Sequence, residues 1–191
     1  MWWAIALLGL GVFWALRSGY RQKRPRRKSR NVDAPASSGG QYTMRDGKSV
    51  KTGAVFDAWV SGDLDAMVKV MGKKSHPIDR HHLLNCIVEA AYRRRAEPAM
   101  VDLCVSTSET YLSEAPKLMK ALLSDMPGQL PHIPVYQLYA TILTQREQFD
   151  RAIQVCELAI QSELHDGTKG GFQGRIERIR KAQQKQLAAA S

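Results

Sequence analysis

The chain has 191 residues, with 28 Lys+Arg against 18 Asp+Glu and a formal net charge of +10. Eight of the basic residues and none of the acids fall within residues 1–30, so residues 31–191 hold 20 basic against 18 acidic side chains. A nearly neutral body speaks against a nucleic-acid-binding domain, which is basic on its own account. The three cysteines, Cys86, Cys104 and Cys156, are odd in number and irregularly spaced among apolar residues, which speaks against a disulfide scaffold and reads as buried, reduced thiols.

The first expected element is a membrane anchor. Residues 2–16 (WWAIALLGLGVFWAL) carry no charged or strongly polar side chain, and the basic run RSGYRQKRPRRKSR follows from Arg17 to Arg30. Apolar-then-basic order keeps the C-terminal side of a membrane segment in the cytoplasm. Fifteen helical residues rise only about 22 Å against a hydrocarbon core of about 30 Å, and continuing to Tyr20 adds about 6 Å. Snorkelling of Arg17, interfacial Tyr20 opposite Trp2 and Trp3, and local thinning of the bilayer cover the remainder. A cleaved signal peptide would carry its positive charge before the apolar stretch, and an interfacial helix would show a polar face. Residues 1–20 are therefore expected to be an uncleaved single-pass anchor, with the basic run against anionic lipid and the body in the cytoplasm, as in a bacterial inner membrane.

Residues 21–47 are expected to be a basic flank and flexible linker, because NVDAPASSGGQYTMRDG is rich in Ser, Gly, Ala and Pro and lacks an apolar period. Residues 48–190 supply one domain's worth of chain, long enough for a real core. Helix follows helix there. GAVFDAWV runs into the turn Ser61-Gly62-Asp63, and LDAMVKVM follows. Asp79, after Pro77, is the expected N-cap of RHHLLNCIVEAAYRRR, and AMVDLCVSTSETYL starts after the break at Pro98. Ser113 is expected to cap a separate inserted helix near 113–126, with Pro116 tolerated in its first turn. VYQLYATILTQRE and FDRAIQVCELAIQ form a pair, and a basic helix near 172–189 caps the chain through Ile176 and Ile179. No stretch sustains an alternation of period two, so the expected class is all-α.

Residues 136–164 carry a more specific pattern. Tyr136 is followed by Ala140, a turn, Phe149, Ala152 and Ala159, and on these residues the segment resembles a tetratricopeptide repeat. In that family the small residues let two helices approach and the large ones fill the space between them. Two positions depart from it: Glu147 replaces the turn glycine and Leu164 the terminating proline. Gly62-Asp63-Leu64-Asp65-Ala66-Met67 and Ala96-Glu97-Pro98-Ala99-Met100 are weaker upstream copies 33 residues apart, close to the family period. The resemblance implies degenerate repeat-like helical hairpins forming a short solenoid at 48–190. FDRAIQVCELAIQSELHDGTKGGFQGRIERIRK also resembles the C-terminal end of bacterial repeat proteins of unassigned function.

The family's binding surface is the row of first helices of each hairpin. Carried onto this sequence, it implies a groove lined by Phe56 and Trp59, then His82, Asn85, Glu89, Tyr92 and Arg93, then Gln137, Thr141, Thr144 and Gln145. Mixed aromatic and polar side chains suit a protein or peptide ligand. The family's carboxylate clamp does not map, since Thr52, Phe56, Pro134 and Leu138 fall at its positions.

No metal, cofactor or nucleic acid is expected. His82 and Cys86 lie at i, i+4, with His76, Asp79 and Glu89 nearby, but a structural zinc site needs a second ligand pair. The same two residues lack the oxyanion site of a Cys-His nucleophile. Asp166-Gly167-Thr168-Lys169-Gly170-Gly171 fits neither phosphate-loop spacing. The leading expectation is a membrane-tethered, non-enzymatic adaptor. The alternatives are a protein like the mitochondrial outer-membrane import receptors, which share this layout, and a membrane-associated enzyme, which the lack of a catalytic signature disfavours.

Overall fold

The computed structural model describes residues 41–45, 47–128 and 130–190. The expected anchor at 1–20, the basic run and the linker up to residue 40 lie outside these residues. Among the described residues no helix is long and apolar enough to cross a membrane.

The described chain is mostly helical. A short antiparallel hairpin, β1 (Tyr42–Arg45) and β2 (Lys48–Lys51), is followed by α1 (Ala54–Ser61), α2 (Leu64–Val70), α3 (Pro77–Arg93), α4 (Pro98–Asp125), α5 (Val135–Gln145), α6 (Phe149–Gln161) and α7 (Gly171–Ala190). The body is consistent with the all-α expectation, and the hairpin begins inside the stretch drawn as linker to residue 47. Its register pairs Tyr42 with Lys51 and Arg45 with Lys48, and Gly47 in the turn has φ 71°. That left-handed backbone is open to glycine without steric cost. The Thr52 amide and hydroxyl both donate to the Gln41 carbonyl, at 2.7 and 2.9 Å, and close the base.

The helix boundaries follow from capping chemistry, with two corrections. Gly62 ends α1 at φ 71°, and the Asp63 carboxylate caps α2 by accepting from the Asp65 amide at 2.9 Å. Asp79 is not the cap of α3. Pro77 occupies the first helical turn, where its missing N–H costs nothing, and His76 Nδ1 accepts from the Ile78 amide at 3.4 Å. Asp79 instead turns inward to pair with Arg45.

The second correction concerns the inserted helix. No separate helix starts at Ser113; α4 runs unbroken through Pro116. Ser113 Oγ donates back to the Thr110 carbonyl at 2.8 Å instead of capping. Cys104, Ser108, Tyr111, Ala115, Leu118 and Leu122 are all buried at alternating steps of four and three residues. That stripe crosses the proline without a change of phase. Burying a large apolar side chain contributes about 1.5–3 kcal/mol, so a few together offset the roughly 3 kcal/mol of an interior proline. Pro116 itself faces solvent.

Helices α5 and α6 match the expected pair. Tyr136, Ala140, Phe149, Ala152 and Ala159 are all buried. The upstream copies share this less well, since Ala66 is half-buried and Ala99 exposed. Along the buried stripe of α4 the small residues are Cys104, Ser108 and Ala115. Both α5 and α6 end with a glutamate in left-handed backbone, Glu147 at φ 60° and Glu163 at φ 55°. The Gln148 amide reaches the Leu143 carbonyl and the Leu164 amide the Ala159 carbonyl, each at 2.9 Å, closing both helices as Schellman motifs. A side chain in that conformation costs about 1–2 kcal/mol, which the closed helix ends and the packing beyond them overcome.

The packing order positions the candidate face. Helix α1 packs on α3, α3 on α5, and α5 on α7, while α2, α4 and α6 each pack against the preceding odd-numbered helix. Val55, Ala58, Met67, Val70, Leu83 and Ile87 form a small core under α1 and α2. A larger core runs from α3 to α7 and takes in Phe172, Ile176 and Ile179, so α7 closes the end of the array through the isoleucines read from the sequence.

Candidate functional site

The eleven expected groove residues fall into three groups along the odd-numbered helices. The first group is aromatic. Phe56 and Trp59 of α1 meet edge to face at 5.2 Å, and Trp59 stacks on His82 of α3 at 4.7 Å with 27° between the planes. The hairpin supplies a cation, since the Arg45 guanidinium lies 5.9 Å from the Phe56 centroid while pairing with buried Asp79. Burial, with the Arg45 charge, holds His82 below the ordinary imidazole range. This end of the face therefore presents a neutral imidazole stacked on an indole.

Asn85 is not on the open face. It is buried, with its Nδ2 3.0 Å from His81 Nε2, and His81 Nδ1 lies 2.8 Å from the Tyr111 hydroxyl of α4. With Nδ2 donating to Nε2, the neutral imidazole carries its proton on Nδ1 and donates to the Tyr111 oxygen. Burial first, and then neighbouring His82, lowers the His81 pKa to about 4. Asn85 Oδ1 and Trp59 Nε1 are buried without hydrogen-bond partners among the described residues.

The second group lies at the C-terminal end of α3, with Arg93 exposed, Glu89 half-exposed and Tyr92 packed partly against the core. Glu89 and Arg93 are 3.9 Å apart on the exposed surface, and the Arg95 guanidinium covers the Tyr92 ring at 4.3 Å.

The third group, on α5, is largely committed to the protein's own backbone. Thr141 and Thr144 each donate to the carbonyl four residues back, Gln137 and Ala140, at 2.7 Å. Thr141 also accepts from Arg175 Nη1 of α7 at 3.1 Å. Gln137 Nε2 lies 3.4 Å from His132 Nε2. Gln145 lines a cleft of about 320 Å³ with Arg95, Pro98, Val101 and Ile142.

Sequence reasoning missed two constellations. One is the Asn85–His81–Tyr111 chain, whose link to Tyr111 no local spacing announces because it lies 30 residues from His81. The other is the set of contacts around Asp166, inside the DGTKGG segment that the sequence already singles out. The Asp166 carboxylate accepts from the Thr168 amide at 3.0 Å and hydroxyl at 2.7 Å, and from Arg175 Nε at 3.2 Å and Nη2 at 3.1 Å. The DGTKGG segment is thus a turn pinned by its own aspartate. Among the described residues no group of three or more His, Cys, Asp or Glu side chains is placed to hold a metal ion.

These features define an all-α array of packed helices with an aromatic patch at one end and a salt-bridged cap at the other. No family model matches the chain, and comparisons with curated proteins and with solved structures return no match.

Proposed function

We propose that the protein is a membrane-tethered adaptor whose odd-numbered helices form a tetratricopeptide-like binding face for a protein or peptide segment, and that it is not an enzyme. The observation that carries this reading is the unbroken row α1–α3–α5–α7, on which Phe56, Trp59 and His82 form an aromatic anchor and Glu89, Arg93 and Gln145 stay hydrated. Rigid aromatic anchors with exchangeable hydrogen bonds around them are what an extended peptide needs. The apolar segment at 2–16 and the basic run behind it would hold this face at the cytoplasmic side of a membrane, where tethering raises its effective concentration.

The tether has a direct test in cell fractionation of the full-length chain and of a variant lacking residues 1–20. The full-length protein is expected to sediment with membranes and to resist a high-salt wash, while the truncated one is released. Retention of the truncated protein after the wash would remove the membrane from the account.

A further inference from the structure

We propose that the cleft between the α2–α3 loop and α4 is a binding site for a phosphate ester, separate from the face of odd-numbered helices. The cleft encloses about 540 Å³, and none of the eleven expected groove residues lines it. That volume lies within the roughly 300–1,000 Å³ of small-molecule sites.

Its charge is strongly one-sided. Lys73 and Lys74 come from the loop and Lys117 from α4, and all three are exposed. Arg80 also lines the cleft and lies opposite its one acid, Glu114. Arg80 holds that carboxylate in a two-pronged contact, Nε to Oε2 at 3.0 Å and Nη2 to Oε1 at 2.7 Å, and donates its remaining prong to the Met71 carbonyl. Glu114 is thereby neutralised in place, and the lysines are left as surplus positive charge. Ammonium groups act as compact point charges toward phosphate, and several converging on one hollow favour a multiply charged ligand.

A second, independent observation points the same way. Ser75 lines this cleft, and its Oγ is buried without a hydrogen-bond partner among the described residues. A buried hydroxyl with no partner is a cost to the unliganded protein, and a rotation of the Ser75 side chain toward the cleft would let a bound oxyanion accept its proton and remove that cost. Pro77, the first residue of the 17-residue helix α3, forms part of the wall, so the N-terminal end of that helix borders the same region.

The ligand chemistry is shared by a free phosphate compound and a lipid headgroup, and calorimetric titration of the full-length protein separates them. Inorganic pyrophosphate and soluble dihexanoylphosphatidic acid serve as probes, each at two salt concentrations. At least one is expected to bind saturably, more weakly at the higher salt. Saturation by pyrophosphate alone assigns the site to free phosphate compounds, and saturation by phosphatidic acid alone assigns it to a headgroup. The triple variant Lys73→Gln/Lys74→Gln/Lys117→Gln is expected to weaken binding by about tenfold or more, whereas Lys181→Gln/Lys185→Gln on α7 leaves it unchanged. Ser75→Ala is expected to weaken binding while leaving the melting temperature of the unliganded protein unchanged or raised. No saturable binding of either probe, or binding that the triple variant retains, would overturn the assignment.

Discussion

Replacing Asp166 with Ala is expected to destabilise the helical body by about 3–5 kcal/mol, the usual cost of removing one partner of a buried ion pair. The Asp166 side chain is 0% exposed and that of Arg175 is 19% exposed. The loss is therefore not that of a surface salt bridge. It comprises two Thr168 hydrogen bonds, two from Arg175, and a guanidinium left largely out of water. Burial pushes the Asp166 carboxyl up, but Thr168 and Arg175 outweigh it and hold the group below the usual carboxylate range. Its stabilisation is thus complete above the unfolded-state pKa and is lost as pH falls through the lower folded-state value. Chemical denaturation followed by helical circular dichroism reads the effect. Asp166→Ala and Arg175→Ala should each approach this cost, and the double variant should cost much less than their sum. A loss below about 1 kcal/mol for Asp166→Ala would mean that the pair behaves as a solvated surface contact.

The second large effect is acid sensitivity centred on His81. Its folded-state pKa is lowered to about 4, from an ordinary value of 6.5. Above the ordinary value the imidazole is neutral in both states and stability is unaffected. Below it the unfolded chain takes up a proton that the buried ring refuses. Stability should fall by about 1.4 kcal/mol per pH unit, flattening near the folded value after a total of about 3 kcal/mol. His82 is lowered in the same direction and adds to the slope. The effect is cleanest between about pH 7 and pH 5, before most carboxylates titrate. His81→Gln keeps a hydrogen-bonding side chain but cannot ionise, so the slope over that interval should shrink to the part due to His82. An unchanged slope in His81→Gln would place the acid sensitivity elsewhere.

Much of the helical architecture was legible in the sequence because it is encoded locally. The Gly62-Asp63 stop and start, the Pro98 break and the paired helices at 135–161 all follow from backbone rules acting over a few residues. The α5–α6 pair was clearest because Tyr136, Ala140, Phe149, Ala152 and Ala159 are all buried contacts. What misled was punctuation overridden by packing. Ser113 and Pro116 read as a helix start, yet the stripe from Cys104 to Leu122 keeps one phase across them, and that phase was the better signal. The hairpin had its own sign in the Asp-Gly dipeptide at 46–47, set between two runs of only four residues.

The site was legible only as a face. The repeat resemblance assigned Phe56 and Trp59 to one repeat and His82 to the next along a common groove; their direct ring contacts belong to the structure. The sequence could not tell that the Thr141 hydroxyl is held by Arg175 of α7, 34 residues away, where no local period exists. Asn85 had a local sign, since it lies four residues from His81 on the buried stripe Ile78, His81, Asn85 and Val88, and the groove position carried over from the repeat family overrode it.

The central claim is that a partner is held on the odd-numbered helices. It is tested most directly by placing a photoreactive amino acid at Arg93, at Gln145 or at Glu157 in the full-length protein and irradiating intact cells. All three positions are exposed, but Glu157 lies on α6, in the other row of helices. The account predicts the same cross-linked partner from Arg93 and Gln145, at a yield several-fold above that from Glu157, and its loss on Trp59→Ala. Equal or greater cross-linking from Glu157 would contradict it.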